Sequence, residues 1–565
     1  MSEGLFGMRV ERNVDVPMRD GVLLRANVFR PEGDGPFPAL LLRTPYGKPE
    51  GGMERYVRAG YVVVTQDARG RYASQGEYVP FTEEETGDAE DGYDAVEWLA
   101  AQPYCNGRVG TFGASYNAWM QWQLAKLRPP HLVAMCAYTI PLELTEVDWP
   151  GGFKPGRRIK WWRTTMAPDL RRREGLPPPH TPAEARAQWD EIEQGYWFGL
   201  MPWREIVRHL PEHLAYYVER WLDEPSVRPW GFDGVHAEIE VPNLDFSGWY
   251  DHCNGTMAHL QLMQRNGRTE AAKKSQLIVG PWNHPGLGKR AMGGIDFGPQ
   301  AEVDLPGQII RWFDYWLKGI ENGVTDEPPV RYFCMGGAGA WRTASTWPPE
   351  GLGEAVYYLH SEGRAQRATG DGYLHARPPE GDEPADIYVY DPHDPCPTLW
   401  TSEHFTVPAD RRRLENRADI LYYQTAPLER DVEVVGYPEV VLYAASSAPD
   451  TDFFARLVDE DPQGAALEIC YGMVRARHRH SLEVEELIEP GAVVEYRIAL
   501  GATACRFARG HRIRLEITSS DFPNHDRNHN VGRNDLEDAE MVCAEQRVLH
   551  GQGCASRLLL PVRTE

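Results

Sequence analysis

Short apolar runs alternate with helical patterns over the first 144 residues. The apolar runs have the length and the β-branched content of buried strands, and they lie at 37–42, 61–65, 109–112 and 132–138. Residues 88–101 and 116–127 carry helical patterns, and acidic residues crowd the first turns of the earlier one, where the helix dipole favours them. Strands separated by helices predict βαβ units and a parallel sheet.

The pattern turns helical between residues 145 and 240. This stretch contains a run of three prolines and eight of the chain's 18 tryptophans. Strand patterns return at 241–247 and 276–279. The chain is therefore predicted to form one α/β sheet from residues 1–144 and 241–349, which a helical cap at 145–240 interrupts. The tryptophans either pack the interior of the cap or line a pocket, and the sequence leaves both interpretations open.

After residue 349 the chain changes to short alternating strands with weak helix signals. The clearest of these strands lie at 432–435, 439–444, 453–458, 493–499 and 512–517. Turn residues separate them at close spacing, which is typical of an antiparallel sandwich or a jelly roll. Residues 350–565 are therefore predicted to form a separate β domain.

Composition narrows the class of protein without indicating a function. Hydrophobic residues make up 42% and charged residues 25% of the chain, which is ordinary for a globular protein. The longest apolar runs are far shorter than the ~20 residues that cross a bilayer, so no membrane partner is expected. The net charge of −24 argues against a broad nucleic-acid interface. Nine dispersed cysteines and the lack of a signal-peptide pattern at the N-terminus predict a cytoplasmic location.

The strongest chemical signal is a serine between a strand and a helix. The sequence runs from a strand into Gly113-Ala-Ser115 and then into a helix that begins at Tyr116. A serine on such a tight turn is strained and exposes its hydroxyl, and the first backbone N–H of the helix faces the place where an oxyanion would form. The usual Gly-x-Ser-x-Gly is incomplete, because Asn117 stands at the last position. The alternative is a serine that caps an ordinary helix.

A serine nucleophile needs a base and a carboxylate that orients the base. Asp251 lies just past the first strand pattern after the cap, and His284 lies just past the next one. The chain order Ser, Asp, His is the order found in α/β-hydrolases. His252 is expected to line the pocket beside Asp251. The alternative is that Asp251 caps a helix and His284 is an ordinary loop residue.

A tyrosine follows an early strand at a position suited to an oxyanion hole. The segment Arg43-Thr-Pro-Tyr46-Gly ends the strand whose loop supplies the second oxyanion donor in hydrolases of this type. The Tyr46 hydroxyl could donate to a developing negative charge. From position alone, plain packing of the ring remains the alternative.

Five motifs occur in a fixed order along the chain: Arg43-Thr-Pro-Tyr46-Gly, Asp67-Ala-Arg69-Gly70-x-x-x-Ser74-x-Gly76, Gly113-Ala-Ser115-Tyr116, Gly248-Trp-Tyr-Asp251 and Gly280-Pro-Trp-x-His284. Together they resemble the cocaine esterase/NonD hydrolases of the X-Pro dipeptidyl-peptidase (S15) group. Residues 472–479 and 519–530 resemble the jelly-roll domain of the same family. Five motifs in order are far more specific than any one of them.

The resemblance implies an α/β-hydrolase core, an inserted helical cap and a C-terminal β jelly-roll domain. It implies Ser115 as the nucleophile, His284 as the base and Asp251 as the orienting acid. It also implies an oxyanion hole made of the Tyr46 hydroxyl and the Tyr116 backbone N–H. Members are serine esterases and amidases that need no cofactor and no metal. The family contains dimers, so a homodimer is expected from the resemblance alone.

The chain departs from its family at two places. Ala118 stands three residues after the nucleophile, where members usually have Gly. The related α-amino-acid ester hydrolases carry acids two and three residues after the orienting Asp, where this chain has Cys253 and Asn254. The second departure argues against a free α-amino group as the main feature that is recognised.

These observations predict an enzyme that hydrolyses esters of small acyl groups through an acyl-enzyme. The residues expected to line the substrate pocket are Trp149, Trp161, Trp162, His252 and Cys253. An aromatic-rich lid suits an apolar or aromatic acyl group on a small-molecule ester or amide.

Two histidine pairs are the main candidates for a metal site. His478 and His480 form a His-x-His that, in a strand, would put both rings on one face, and His525 and His529 lie further along. Neither cysteines nor acids complete a ligand set, so no metal is predicted.

Three other functions stay open on the sequence. The same serine, histidine and aspartate would serve an amidase or acylase, including an X-Pro dipeptidyl-peptidase. A binding module on an inactive hydrolase scaffold would keep the fold without the chemistry. A glycosidase based on paired carboxylates would not need Ser115.

Overall fold

The structure is a computed structural model that describes residues 7–33, 35–81, 87–143, 145–223, 232, 234–399 and 408–564. The part before the cap contains β1 (Met8–Pro17), β2 (Leu23–Pro31), β3 (Phe37–Thr44), α1 (Glu54–Arg58), β4 (Val62–Asp67), α2 (Asp88–Ala100), β5 (Cys105–Ala114), α3 (Tyr116–Ala125) and β6 (Leu132–Tyr138). These strands form one sheet in the order β1-β2-β4-β3-β5-β6. The pairs from β4 to β6 are parallel, as the alternating pattern predicts.

The inner strands are apolar because helices cover both faces of the sheet. All six residues of β4 are buried, and β3 and β5 are mostly buried. α2 and α3 pack together on one face, and the apolar stripe of a later helix covers the other. The carboxyl ends of these parallel strands therefore meet at one edge, where loops can bring polar side chains together.

The cap region contains α4 (Thr145–Asp148), α5 (Gly156–Trp161), α6 (Ala167–Arg173), α7 (Pro182–Gln188), α8 (Gln194–Gly199) and α9 (Glu212–Asp223). A π-helical turn, Trp162–Met166, joins α5 to α6, and a second, Trp189–Glu193, joins α7 to α8. A π turn inserts one extra residue and changes the direction of the side chains that follow; such turns are frequent at functional sites.

The sheet continues after the cap with β7 (Leu244–Gly248), α10 (Met257–Asn266), β8 (Gln276–Gly280), β9 (Ala291–Met292), β10 (Ile295–Asp296), α11 (Leu305–Lys318), β11 (Val330–Cys334) and β12 (Ala340–Ala344). β7, β8 and β11 are parallel. A parallel bridge between Met135 and Asn243 joins β7 to β6. The Asn243 amide also accepts from the Ala137 N–H at 2.7 Å and donates to the Ala137 carbonyl at 2.9 Å. The two parts of the sheet are therefore continuous across the inserted helices.

The C-terminal strands are β13 (Leu352–His360), β14 (Tyr373–His375), β15 (Asp386–Tyr390), β16 (Leu421–Gln424), β17 (Val432–Gly436), β18 (Glu439–Ser446), β19 (Asp452–Glu460), β20 (Ala466–Arg475), β21 (Val494–Ala499), β22 (Thr503–Phe507), β23 (Arg512–Thr518), β24 (Ala544–Leu549) and β25 (Arg557–Arg563). They belong to one hydrogen-bonded network. Its pairs are antiparallel apart from β14 with β16, as far as the described residues show. The predicted β class is confirmed, and the jelly-roll arrangement stays a prediction.

The apolar cores connect these parts. One core unites the first sheet with the cap helices, and another unites the C-terminal strands with the loop after β7. The predicted boundaries at residues 144, 240 and 349 remain our own assignment of the domains. Among the helices in the described ranges, none has both the length and the apolar composition that a bilayer-spanning segment needs.

Candidate active site

Ser115 occupies the single residue between β5 and α3. Its backbone has φ 58° and ψ −124°, a region in which a residue with a side chain is strained. The Ser115 N–H donates to the Tyr138 carbonyl of β6 at 2.9 Å, which holds this conformation. The turn presents a partly exposed serine at the start of a helix, as the motif predicts.

Small residues next to Ser115 allow the turn to be tight. Gly113 has φ 144°, and a Cβ there would lie 2.7 Å from the Cβ of Asn117. The position therefore requires glycine, whereas Asn117 occupies the usual second glycine position without preventing the turn. Ala118, where relatives usually have Gly, is fully buried, and its N–H donates to the Ser115 carbonyl at 2.8 Å. The extra methyl group is accommodated within the first turn of α3.

His284 is hydrogen-bonded to the carboxylate of Asp251. The ring Nδ1 of His284 lies 3.0 Å from Oδ1 and 3.2 Å from Oδ2 of Asp251. Each residue follows the carboxyl end of its strand, Asp251 after β7 and His284 after β8. The Asp251 side chain is fully buried, and the Cys253 N–H donates to its Oδ1 at 2.8 Å. The carboxylate is thus fixed in place and orients the imidazole ring.

The loop that carries Asp251 is anchored to other parts of the molecule. The Trp249 indole N–H donates to the Phe333 carbonyl of β11 at 2.8 Å. The Tyr250 hydroxyl donates to the Glu468 carbonyl of β20 at 3.0 Å. Two consecutive aromatic residues therefore hold the loop between the core sheet and the C-terminal strands.

The Tyr46 hydroxyl lies at the Ser115 side chain. Removal from water raises the pKa of Tyr46 to about 12, although the Arg158 charge and the neighbouring Trp161 and Ser115 side chains oppose the rise. The phenol consequently stays protonated at neutral pH and keeps its proton for donation. This position agrees with a role of the hydroxyl as a hydrogen-bond donor to an oxyanion, and not only with packing of the ring.

Arg71 fixes the loop of Tyr46, and sequence reasoning missed it. Its fully buried guanidinium donates from Nε to the Pro45 carbonyl at 2.8 Å and from Nη1 to the Met166 carbonyl at 3.2 Å. It thereby ties the residue before Tyr46 to the π turn of the cap. Arg71 falls at an unspecified position of the Asp67 motif, so the sequence carried no signal for this role.

The Tyr116 side chain is held by a hydrogen bond and an aromatic stack, whereas its backbone N–H has no acceptor within the helix. Its hydroxyl accepts from the Phe81 N–H at 3.0 Å, and its buried ring stacks on Phe81 with centroids 4.1 Å apart. As the first residue of α3, its own N–H is one of the four that have no acceptor within a helix. A role in an oxyanion hole therefore falls to the backbone and not to the ring.

The structure separates the three predicted pocket tryptophans. The Trp161 ring lies 6.4 Å from Tyr46, with the Arg158 guanidinium 4.5 Å above its centroid. Trp162 is buried against Trp161 at 4.5 Å. Trp149 lies elsewhere: its ring packs at 4.8 Å against His478 at the C-terminal strands. Packing, which composition does not reveal, decides which tryptophan reaches the site.

Phe81 joins Trp161 in an aromatic wall that the sequence did not predict. The two rings stack with centroids 6.1 Å apart. Phe81 has φ 51°, an uncommon conformation for a residue with a side chain. It belongs to no motif, and only the fold brings it beside Tyr116 and Trp161.

His252 and Cys253 lie beside the Asp251–His284 pair. The His252 ring is 4.5 Å from the His284 ring, and its Nδ1 lies 3.6 Å from Asp251 Oδ1. Burial and the charge of Arg157 lower the pKa of His252 well below its usual value, so the ring is neutral. Burial raises the pKa of the Cys253 thiol well above its usual value. Both residues adjoin the predicted site, although Cys253 lies deeper than His252.

A cavity of about 570 Å³ lies behind this pair, between the cap, the core and the C-terminal strands. Asp251, His252, Arg157, Tyr471 and His525 are among the residues that line it. Burial lowers the pKa of Arg157 to about 10, so nearby carboxylates do not offset its desolvation. The cavity lining therefore combines the positive charge of Arg157 with the carboxyl groups of Glu146 and Glu468 next to the catalytic candidates.

The four histidines of the two candidate pairs lie in different surroundings. His478 lies in a 3₁₀ turn after β20 and not in a strand, so the expectation that its ring shares a face with His480 is wrong. His478 is buried against Trp149, while His480 is exposed. His525 lies 3.3 Å from the Tyr471 hydroxyl, which is a structural contact.

A serine on a strained strand-to-helix turn and a carboxylate-bound histidine, all after parallel strands, define a capped α/β-hydrolase. Residues 20–286 match the X-Pro dipeptidyl-peptidase (S15) family, and residues 322–559 match the X-Pro dipeptidyl-peptidase C-terminal non-catalytic domain. The cocaine esterase of Rhodococcus sp. is 34% identical over 585 residues, which cover 98% of each chain. The chain belongs to the S15 family and, within it, to the CocE/NonD hydrolases.

Solved structures support the fold over the whole length. An aminopeptidase from the marine sediment archaeon Thaumarchaeota archaeon superimposes with a TM-score of 0.82 at 23% identity, covering 99% of this chain and 97% of the other. A CocE/NonD family hydrolase from Staphylococcus aureus gives a TM-score of 0.69 at 20% identity, covering 98% and 94%. At these identities the similarity shows the architecture and not the substrate.

Proposed function

We propose that the protein is a serine esterase in which Ser115 is the nucleophile, His284 the base and Asp251 the orienting acid. The observation that carries this assignment is the strained Ser115 turn with the Tyr46 hydroxyl against it. The Asp251–His284 bond of 3.0 Å and the membership of the chain in its family support it. Hydrolysis of p-nitrophenyl butyrate by the wild type and by Ser115→Ala tests it.

The proposed reaction has two halves. Ser115 attacks the ester carbonyl while His284 takes its proton, and Asp251 stabilises the imidazolium that forms. The Tyr46 hydroxyl and the Tyr116 backbone N–H donate to the oxyanion. His284 then protonates the leaving alcohol, and a water molecule, activated by the same histidine, releases the acid from Ser115.

The acyl group is proposed to be apolar or aromatic. Trp161 and Phe81 stack beside the Tyr46 hydroxyl, on the side of the cap. Such a wall offers an aromatic surface to an acyl group bound at Ser115, with the Arg158 guanidinium 4.5 Å over the Trp161 centroid. A small-molecule ester is therefore the proposed substrate.

We expect the benzoyl ester of one alcohol to be hydrolysed more efficiently than its acetyl ester. After correction for alkaline hydrolysis rates, the ratio of kcat/KM should be at least about tenfold, because an added apolar group in a fitted pocket contributes about 1–3 kcal/mol. Trp161→Ala should bring the ratio towards one. Trp341→Phe, in the edge strand β12, is the matched control and should keep it. Equal efficiency on both esters would contradict the proposed aromatic wall.

Recognition of a free ammonium group is not supported by the charges around the pair. Cys253 and Asn254 stand where related α-amino-acid ester hydrolases carry acids. The positive charges of Arg157 and Arg158 act on both His252 and Cys253. A cationic substrate would therefore meet repulsion near the catalytic histidine.

We expect methyl 3-phenylpropionate to be a better substrate than the methyl ester of L-phenylalanine, which differs only by its amino group. The kcat/KM values should differ at least about tenfold at a pH at which the amine is charged, because an unpaired charge is costly in a positive site. Arg157→Gln should reduce the difference, while Arg364→Gln, whose side chain is exposed and does not line this cavity, should not. Faster hydrolysis of the amino ester would favour the aminopeptidase-like alternative.

Other hydrolases could use the same site. An amidase, an acylase or an X-Pro dipeptidyl-peptidase would use the same three residues, and a comparison of an ester with its matching amide separates them. The esterase is preferred because a relative that matches nearly the whole chain is a cocaine esterase. The homodimer and the cytoplasmic location stay predictions.

A further inference from the structure

We propose that Asp251, His252, Cys253 and His284 form an inhibitory binding site for Zn²⁺. One carboxylate oxygen, two ring nitrogens and one sulfur of these residues all lie within 4.8 Å of one another. The inhibition rests on the proposed function, because His284 is its catalytic base, but the binding of the metal does not. The site lies on the side of the His284 ring that faces Asp251.

The distances suit a tetrahedral cation. Asp251 Oδ1 lies 3.0 Å from His284 Nδ1 and 3.6 Å from His252 Nδ1. Ligand atoms about 2.0–2.3 Å from a tetrahedral zinc ion are separated by roughly 3.3–3.8 Å. The two distances from the Asp251 oxygen therefore lie within a few tenths of an ångström of this range, and the four donor atoms all lie within 4.8 Å of one another. The centroids of the two imidazole rings are 4.5 Å apart.

The donor types select the metal. Two imidazole nitrogens, a thiolate and a carboxylate form a set that suits zinc, whereas Mg²⁺ and Ca²⁺ require oxygen ligands. Three of the donors are consecutive, in a loop that Trp249 and Tyr250 anchor. The Cys253 N–H also holds Asp251 in place. Much of the ordering that a metal site needs is therefore present before the metal binds.

The surrounding charge sets a limit on the affinity. The guanidinium groups of Arg157 and Arg158 act on His252 and Cys253 and repel a divalent cation. We therefore expect micromolar affinity rather than the tighter binding of structural zinc sites. A site of this strength responds to free metal and does not hold a permanent cofactor.

The cavity behind the pair provides access. Asp251 and His252 both line the space of about 570 Å³. The side chains of His252 and His284 are each 16% exposed. A hydrated cation can thus reach Asp251 and His252 from the cavity, and His284 and Cys253 lie within 4.8 Å of them.

Binding would block the base without any redox change. A Zn–S bond forms as the Cys253 thiol releases its proton to solvent. Zn²⁺ takes the Nδ1 lone pair of His284, so the proton that Nδ1 donates to Asp251 moves to Nε2. With Nε2 protonated, His284 no longer accepts the proton of Ser115, and acylation stops.

The first test measures inhibition at buffered free Zn²⁺. Wild type, Cys253→Ser and His252→Asn are assayed with p-nitrophenyl butyrate, each relative to its own metal-free rate. The control is Cys543→Ser, which removes an exposed thiol beside Asp391. We expect half-inhibition of the wild type at about 1–10 µM, reversal by chelation, at least tenfold weaker inhibition in the two site variants and no change in the control.

The second test does not depend on turnover. Co²⁺ replaces Zn²⁺ in tetrahedral sites, and a thiolate ligand adds an intense near-ultraviolet charge-transfer band. Titration of the wild type and of Cys543→Ser should give this band at one equivalent, and Cys253→Ser should lack it. An active enzyme without inhibition at millimolar Zn²⁺, equal inhibition of all variants, or Co²⁺ bound without the sulfur band would overturn the proposal. If Cys253→Ser does not fold, the spectrum of the wild type decides.

Discussion

Replacing Ser115 by Ala should lower kcat/KM for p-nitrophenyl butyrate at least about 10³-fold. Ser115 is the residue that the strained turn presents, and its backbone conformation is held by the Tyr138 carbonyl and by the first turn of α3. Alanine keeps the backbone and the Cβ and removes only the hydroxyl that forms the acyl-enzyme. The loss should therefore appear in turnover and not in folding.

Three controls interpret that loss. Ser345→Ala removes an exposed hydroxyl and should keep full activity. Thermal unfolding of Ser115→Ala should match or exceed the wild type, because the change removes a polar group from a strained site. A fluorophosphonate should label wild type at the peptide of Ser115 and should not label Ser115→Ala.

The outcomes discriminate between the functions left open by the sequence. Equal turnover by both proteins means that another group is the nucleophile, as a paired-carboxylate glycosidase would require. A wild type that is neither active nor labelled supports a binding module on an inactive scaffold. If the wild type is labelled but does not hydrolyse p-nitrophenyl butyrate, Ser115 remains the nucleophile, and the enzyme requires a different acyl group.

Strand order explains why the sequence alone was sufficient for the main candidates. Each of Tyr46, Ser115, Asp251 and His284 follows a strand whose apolar run was visible in the sequence. Because parallel strands end at one edge of the sheet, four chain positions far apart in sequence become neighbours. The family comparison confirms the fold class, whereas the catalytic roles rest on geometry and await the measurements described above.

Arg71 and Phe81, which sequence reasoning missed, contact segments that are distant from them in the sequence. Arg71 donates to the backbone carbonyls of Pro45 and Met166, and it thereby joins the loop of Tyr46 to the cap. Phe81 reaches Tyr116 by an aromatic stack. Periodicity reports the face that a residue presents within its own element, and it contains nothing about a partner a hundred residues away. The difference between Trp149 and Trp161 was hidden for the same reason.

The C-terminal strands have a direct part in the geometry of the site. Tyr250, which directly precedes Asp251, forms a hydrogen bond to β20. Trp249 forms a hydrogen bond to β11. The carboxylate that orients His284 therefore depends on contacts from both the core and the C-terminal strands.

Tyr46→Phe is expected to lower kcat for p-nitrophenyl butyrate about 10²–10³-fold with little change in KM. The hydroxyl is protonated at neutral pH and lies at the Ser115 side chain, so it can donate to the oxyanion that forms when Ser115 attacks. A substrate carbonyl carries less negative charge than the oxyanion, so the loss falls mainly on the transition state. The pocket itself should change little, because phenylalanine keeps the ring that packs beside Trp161.

The neighbouring loop offers a matched control for this variant. The Tyr72 hydroxyl is buried and has no hydrogen-bond partner within the described ranges of the chain, and its ring packs against Gly47. Tyr72→Phe therefore removes a phenolic oxygen close to the same loop without removing a donor to Ser115, and kcat should stay near that of the wild type. If Tyr46→Phe is equally active, Tyr46 only packs the loop, and the backbone N–H of Tyr116 is left to stabilise the oxyanion with another donor. If both variants lose activity, the loop and not the hydroxyl is what the reaction depends on, and Arg71, which holds that loop through Pro45, becomes the residue to test.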